Sequence, residues 1–572
     1  MQVIGLLILL FAGYILMYQT YGKFLAKKIF RITDTNTTPA VELEDGRDYV
    51  PTKKQVIFGH HFTSIAGTGP IVGPAIAIIW GWVPAILWVF IGSIVMGAVH
   101  DFGSLVISLR NQGKSISDYT SKYINSRTRF LFFLVVFLEL WIVISVFGLV
   151  IASIFKMFPS SVLPVWFQIP IAIILGRVLN KRKVNLTLST IIAVVVMYLT
   201  VIAGRYIPLE MPDLFGIPAT GVWTIILLIY AFIASVLPVT TLLQPRDFIN
   251  AYQLVIAMGL IVLGILVSGI SGDLQLVAPA FQPKPAGAPS VIPFLFITIA
   301  CGAISGFHSL VSSGTTSKQI MSEKDSLFVG YGSMLTEGAL AILVIIAVAA
   351  GIGLGHDGAD GVRLFGVDAW NEHYSSWSAA GGLDKKIGAF VEGSSNMIGA
   401  IKVPYEVAIV VMGVFVASFA GTTLDTATRI QRYVITEIFD GVKSPILKNM
   451  YFTTFLAVAT AAVLAFATGA DGSGALKLWP LFGAVNQTLA ALALIIITIY
   501  LKNKGGYKWL ISGLPAIFMS VVTVWATIIN QKTFLQDKNY ILIVVNLIVL
   551  ILVIWIILEG LMKFVSISRK SN

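Results

Sequence analysis

The sequence predicts an all-α, polytopic membrane protein, and three observations carry that prediction. Of its 572 residues, 57% are hydrophobic and 12% charged, with a mean hydropathy of +0.87. A soluble domain carries roughly a quarter charged residues. About fifteen apolar runs are long enough to cross a bilayer. The basic residues between those runs alternate in density from one side to the other, as membrane topology requires.

The expected spans lie at about 3–19, 54–81, 83–109, 130–155, 163–179, 186–204, 221–242, 248–270, 291–315, 327–354, 403–422, 450–469, 476–501, 509–529 and 540–565. With the N-terminus outside, the cytoplasmic segments hold 29 of the 39 Lys and Arg residues, so the chain reads as N-out and C-in. The net charge of +11 is therefore distributed along helix flanks, and nucleic acid is not an expected partner. The first run, Val3 to Tyr18, has no basic residue before it and no small-residue cleavage site after it, so it reads as a retained helix. The single cysteine, Cys301, lies in an apolar run and reads as a small buried residue.

Two loops are long. Residues 20–53 are polar and cytoplasmic; residues 355–402 are external, with Ile387 to Ile401 too short to span and read as a surface or re-entrant helix. Leu424 to Phe439 is amphipathic, with Asp425 and Arg429 one turn apart, and reads as a surface segment.

The stretch that organises the chain is Val56 to Ile79, because Gly67-Thr68-Gly69-Pro70 and then Gly73-Pro74 interrupt it near mid-membrane. Proline removes a backbone donor and glycine gives up packing, so the helix should unwind there. Unwound backbone at that depth is tolerated only inside protein or beside a watery cavity, and broken helices mark substrate sites in secondary transporters. A second break is expected in 221–242, around Ser235, Pro238, Thr240 and Thr241, with Pro245 following. The two would run in opposite directions five spans apart, the pattern of an inverted repeat. Gly67, Thr68, Gly69, Pro70, Gly73, Ser235, Thr240 and Thr241 are therefore the expected substrate-binding residues.

Ionisable groups fall at similar depths. From the cytoplasmic helix ends, His60 and His61 lie roughly 10 Å in, and Asp101, Glu139, His308 and Glu337 roughly 12–15 Å. Buried charges at such depth must pair or face water, and a carboxylate beside a histidine makes a workable proton relay near neutral pH. His60, His61, Asp101, Glu139 and His308 are the expected proton-coupling residues. Ser312 and Ser313, followed by Thr315 and Thr316, offer oxygen ligands suited to a small cation, although close helix packing uses the same residues.

Four stretches, FGHHFTSIAGTGPIVGPAIAIIWGWVPA, GAVHDFGSLVISLRNQGKSI, SGFHSLVSSGTTSKQI and ASFAGTTLDTATRIQRYVITEIF, resemble the carbon starvation protein A (CstA) family along nearly the whole chain. The resemblance implies a secondary transporter of the inner or plasma membrane with a LeuT-like 5+5 inverted-repeat fold. That fold divides the chain into a helix and loop at 1–52, a ten-helix core at 53–422, a cytoplasmic segment at 423–449 and four further helices at 450–572. It also implies uptake of short peptides or pyruvate under nutrient limitation, driven by protons. Ser312 and Ser313 match the position where sodium-coupled relatives place an ion-binding hydroxyl pair, so sodium coupling stays open. No cofactor or metal is expected, and the substrate is a small carboxylate or short peptide. Two readings of other classes stand beside this: a nutrient sensor signalling through its loops, and an intramembrane metalloenzyme using His60, His61, His308 and Asp101.

Overall fold

The apolar runs fold as helices because, away from water, a backbone can satisfy its own donors and acceptors only by winding on itself. The structure, a computed structural model, describes residues 1–179, 185–358, 361–439 and 445–570. The basic run Lys181-Arg182-Lys183 and Lys443, counted above for orientation, lie outside the described residues. Among the described residues, twelve continuous helices are long and apolar enough to span a membrane. Each of the fifteen expected runs is helical, three of them not as a single continuous crossing. Met450–Ala465 is only 16 residues long. Lys54–Ala66 and Gly69–Trp80 form one span bent by 41°. The run at 291–315 is two short helices, Val291–Thr298 and Gly306–Gly314.

The first break falls where expected. Gly67 takes φ +23° and ψ −150°, and a Cβ there would stand 2.6 Å from Thr423 Oγ1, so glycine is required both by conformation and by space.

The second break is elsewhere than expected. Ala219–Val236 is continuous, and Leu237, held extended at ψ 150° ahead of Pro238, simply ends it. Pro245 sits in the first turn of Leu243–Ser271, where its missing N–H has no helical partner to lose. The prolines therefore mark the turn between two whole helices. The true second interruption runs from Ile299 to Ser305, with Gly302 at φ +88°. It contains no proline, which is why the sequence pattern does not expose it.

A second correction concerns 424–439. Tyr405–Ile438 is one 34-residue helix, and Leu424, Asp425, Arg429 and Arg432 are buried in it. Its polar stripe faces other helices rather than the membrane surface.

Several helix pairs set the architecture. Ser126–Met157 lies along Tyr405–Ile438, and Trp82–Leu109 lies along Glu323–Leu354. Lys54–Ala66 packs on Leu243–Ser271, while Gly306–Gly314 packs on Trp479–Asn503. Ala219–Val236 packs on Met450–Ala465. Val162–Leu179 and Leu186–Tyr206 pair as a hairpin at the periphery, and Leu510–Gln536 and Tyr540–Lys570 flank the last core helix.

The 355–402 region is more ordered than a loop. It holds a short hairpin pairing His356–Asp357 with Arg363–Leu364, and helices Gly366–Tyr374 and Leu383–Gly399. The latter is largely buried against Gly69–Ala77 and Tyr405–Ile438.

Candidate functional site at the crossing of two broken helices

The two interruptions meet. A Cβ on Gly69 would overlap Cys301, a Cβ on Gly73 would stand 2.5 Å from the Thr298 carbonyl oxygen, and one on Gly302 would lie 3.7 Å from Pro70 Cβ. Glycine at 69 and 73 thus lets the two spans cross with their breaks in contact. Each span's second half, Gly69–Ala77 and Gly306–Gly314, begins at this point. Two helix N-termini, each with a partial positive charge, are therefore directed into one small region.

A charged network surrounds the crossing. His308 faces Asp101 Oδ2 through Nδ1 at 3.0 Å and Glu337 Oε2 through Nε2 at 3.3 Å. The other Asp101 oxygen faces His100 Nδ1 at 2.7 Å. Glu337 Oε1 accepts the Gly302 N–H at 3.0 Å, so this carboxylate joins the histidine to the backbone of the second break. All four side chains are fully buried. Both ring nitrogens of His308 face carboxylate oxygens. Either both carry protons or one carboxylate does, and a proton is shared across the three groups in each case.

A second network begins about two helical turns before the first break. His60 Nδ1 faces Asp247 Oδ2 at 2.6 Å, and His60 Nε2 lies 3.4 Å from Thr315 Oγ1. Asp247 Oδ1 accepts from Arg246 Nη2 and from the Thr422 hydroxyl, each at 3.0 Å. Arg246 also pairs with Asp425, and Tyr230 donates to Asp425 at 2.8 Å. Removing one member of such a buried pair costs about 3–5 kcal/mol, because the survivor stays buried and unpaired.

His61 stands apart from His60, as adjacent residues on a helix must. Its Nδ1 bonds Thr316 Oγ1 at 2.8 Å and its Nε2 has no hydrogen-bond partner among the described residues. Of the expected substrate-binding residues, Gly67, Thr68, Gly69, Pro70 and Gly73 lie at the crossing. Ser235, Thr240 and Thr241 do not. Ser235 is in the last turn of Ala219–Val236, its carbonyl accepting from Arg432 at 3.0 Å, and Thr240 and Thr241 sit in the turn that follows, where the Thr241 N–H donates to Pro238 O. That turn contacts the Tyr405–Ile438 helix around Arg429, six residues beyond Thr423, a rise of roughly 9 Å.

Among the expected coupling residues, Asp101 and His308 are in one network and His60 in the other. Glu139 joins neither, since both its carboxylate oxygens are buried without a hydrogen-bond partner among the described residues. Ser313 is committed to structure: its hydroxyl donates to Ser309 O and accepts the Ile116 N–H. Ser312 Oγ is buried and makes no hydrogen bond among the described residues. The metalloenzyme set of His60, His61, His308 and Asp101 does not converge, because His60 turns to Asp247 and His61 to Thr316. Cys301, His308 and Glu337 have ligand atoms within 4.8 Å of one another, but both His308 nitrogens already face carboxylates.

Sequence reasoning missed Arg246, Asp247, Asp425 and the capping role of Glu337. Arg246 falls between the expected spans 221–242 and 248–270, and Asp425 in the segment read as lying on the surface. An Arg-Asp pair directly after a proline, between two apolar runs, was the available signal.

One end of the crossing is closed by the 31–53 segment. Asp48 pairs with Arg429 Nη1 at 2.6 Å and Arg432 Nη2 at 3.2 Å. Arg429 also donates to the Leu237 carbonyl, and Arg47 donates to Val236 O at 2.6 Å. Burial works against the Asp48 charge, yet Arg429 and Arg432 hold its carboxyl down to about 2. The other end is closed by the 355–402 region, where Tyr374 Oη donates to Ala75 O at 2.6 Å and Trp377 packs on Trp80.

A multi-pass helical bundle, with two interrupted helices crossing over buried ionisable groups and covered at both ends, defines a membrane transport protein. The carbon starvation protein CstA family model matches residues 2–356 and 363–526, and the chain belongs to that family. It is 35% identical to the peptide transporter CstA of Campylobacter jejuni over 557 residues, covering 90% of this chain and 78% of the relative. It is 32% identical over 578 residues to the pyruvate/proton symporter BtsT of Escherichia coli, covering 90% and 79%. The crystal structure of MhsT in complex with L-phenylalanine matches with a TM-score of 0.47 and 13% identity, covering 89% of this chain and 99% of that one. The relatives are named as transporters, and this chain is a multi-pass transport protein of the cell membrane.

Proposed function

We propose that this protein imports short peptides or pyruvate across the cell membrane by alternating access, driven by a proton gradient, as part of the response to carbon starvation. The observation that carries this reading is the bond from Gly302 N–H to Glu337, whose other oxygen faces His308. A proton moving within Asp101, His308 and Glu337 changes the charge on the group that holds the second break. Protonation state and break geometry are thus linked by one side chain.

Both substrate classes carry a carboxylate, and the two converging helix N-termini favour an anion between them. The relatives' names support both classes. Orientation follows the basic-residue bias, with the 31–53 segment as the cytoplasmic closure and the 355–402 region as the external one.

The helix pairings support an inverted repeat with different membership from that expected. The first unit is 54–80, 82–109, 126–157, 219–236 and 243–271; the second is 291–314, 323–354, 405–438, 450–465 and 479–503. In each unit the broken helix packs on the fifth helix of its own unit, and the two second, third and fourth helices pair across units. One helix precedes the core, the peripheral hairpin is inserted after the third helix, and two helices follow. An inserted pair preserves parity, so the two broken spans still run in opposite directions.

Uptake into vesicles with an imposed pH gradient, inside alkaline, tests the function. Accumulation of pyruvate or a dipeptide that collapses with the proton gradient supports it. Accumulation that follows the sodium gradient instead would transfer the coupling role away from the histidine network. No accumulation of any of these substrates under either gradient would overturn the import reading.

A further inference from the structure

The external region carries a cluster that the transport site does not use. His356 on the hairpin, His373 on Gly366–Tyr374 and Glu392 on Leu383–Gly399 bring their ligand atoms within 4.8 Å of one another. His356 Nδ1 lies 2.9 Å from each Glu392 oxygen, and His373 Nε2 lies 3.5 Å from Oε2. The two imidazole rings are 4.2 Å apart, centre to centre. All three side chains keep 11–18% of their surface open, so ions reach them from solvent. His373 Nε2 is buried and makes no hydrogen bond among the described residues.

The geometry points to a Zn²⁺ site formed by His356, His373 and Glu392, which fastens three external segments together. Zinc binds nitrogen and carboxylate oxygen at about 2.0–2.2 Å, which places neighbouring ligands of a tetrahedron about 3.3 Å apart. The separations here, 2.9 and 3.5 Å, bracket that value. Two neutral imidazoles and one carboxylate are a set zinc favours, and three protein ligands leave a fourth position for water.

The supporting contacts fix each ligand's element. Asn396, one turn beyond Glu392, donates to the Gly351 and Gly355 carbonyls, the latter adjoining His356. Tyr374, adjoining His373, donates to Ala75 in the outer half of the first broken helix. Metal bound here therefore braces the external closure of the transport site. Arg363 is a nearby cation, stacked over Tyr405 and paired with Asp357. The chain has six histidines, and the other four lie in buried spans, so a zinc-binding signal is assignable.

The test uses tag-free, detergent-purified full-length protein, stripped with chelator and dialysed against Zn²⁺. Elemental analysis is expected to give about one Zn²⁺ per chain. Co²⁺ in its place is expected to give the visible absorption of a tetrahedral nitrogen–oxygen site. His373→Gln and Glu392→Gln are expected to lose both signals and the rise in thermal midpoint with added Zn²⁺. Their midpoints in chelator should match the wild type. Wild-type protein that binds no zinc, or variants that bind it unchanged, would overturn the assignment.

Discussion

The Asp48 clamp gives the sharpest test of how the crossing is closed, because the chain supplies its own reporter. Cys301 is the only cysteine, lies at the second break against Gly69, and is 8% exposed. A thiol reagent reaches it only when one end of the bundle opens. Asp48→Asn removes the anion that pairs with Arg429 and Arg432, whose side chains are 1% and 4% exposed. Breaking a fully buried pair costs about 3–5 kcal/mol. Asp48 keeps 18% of its surface, so water screens part of that loss, and about 1.5–3 kcal/mol is the expected destabilisation of the closed end. Each 1.4 kcal/mol is tenfold in population, so the open fraction should rise about 10- to 100-fold. The assay is the initial rate of Cys301 modification by a membrane-impermeant maleimide in inside-out vesicles. The rate should rise by that factor for Asp48→Asn, fall when substrate is added, and stay unchanged when reagent is offered from the outside. An unchanged inside rate in a variant with normal thermal stability would refute the clamp as the closure.

Because Asp48 titrates near 2 when folded, below the roughly 3.9 of a free aspartate, its stabilisation is complete above about pH 4 and fades only as pH falls toward 2. Wild-type inside labelling measured between about pH 5 and pH 8 should therefore owe none of its variation to this clamp, and Asp48→Asn should keep the same pH profile at a higher rate. Glu337→Gln keeps an acceptor for the Gly302 N–H but cannot share a proton with His308; it should abolish gradient-driven accumulation while leaving substrate counterflow, and normal accumulation would remove Glu337 from the coupling path. His308→Gln should impair accumulation at least tenfold more than His61→Gln, since His308 bridges two carboxylates whereas the hydrogen bond of His61 is to Thr316; the opposite order in vesicle uptake would move the proton site to His61. Gly69→Leu should force the two breaks apart, cost about 1–3 kcal/mol, and eliminate the substrate-induced thermal shift; a retained shift would move the site away from the crossing.

Hydropathy and the placing of glycine and proline were enough to determine the membrane class, the fifteen helical runs and the position of the first break. Those properties are local: a bilayer imposes a span length, and the Gly67–Pro74 stretch disrupts a helix wherever it folds. The titratable character of His60, Asp101 and His308 was legible for the same reason, as a charge in an apolar run requires a purpose. Only the tertiary structure decided which partners they meet, that Pro238 ends a helix rather than breaking one, and that the second break lies at Ile299–Ser305. It also decided that Arg246, Asp247 and Asp425 form one buried network, and that Glu139 stays outside both. These depend on contacts between residues tens to hundreds of positions apart, set by how whole helices pack, and no window of sequence contains that distance.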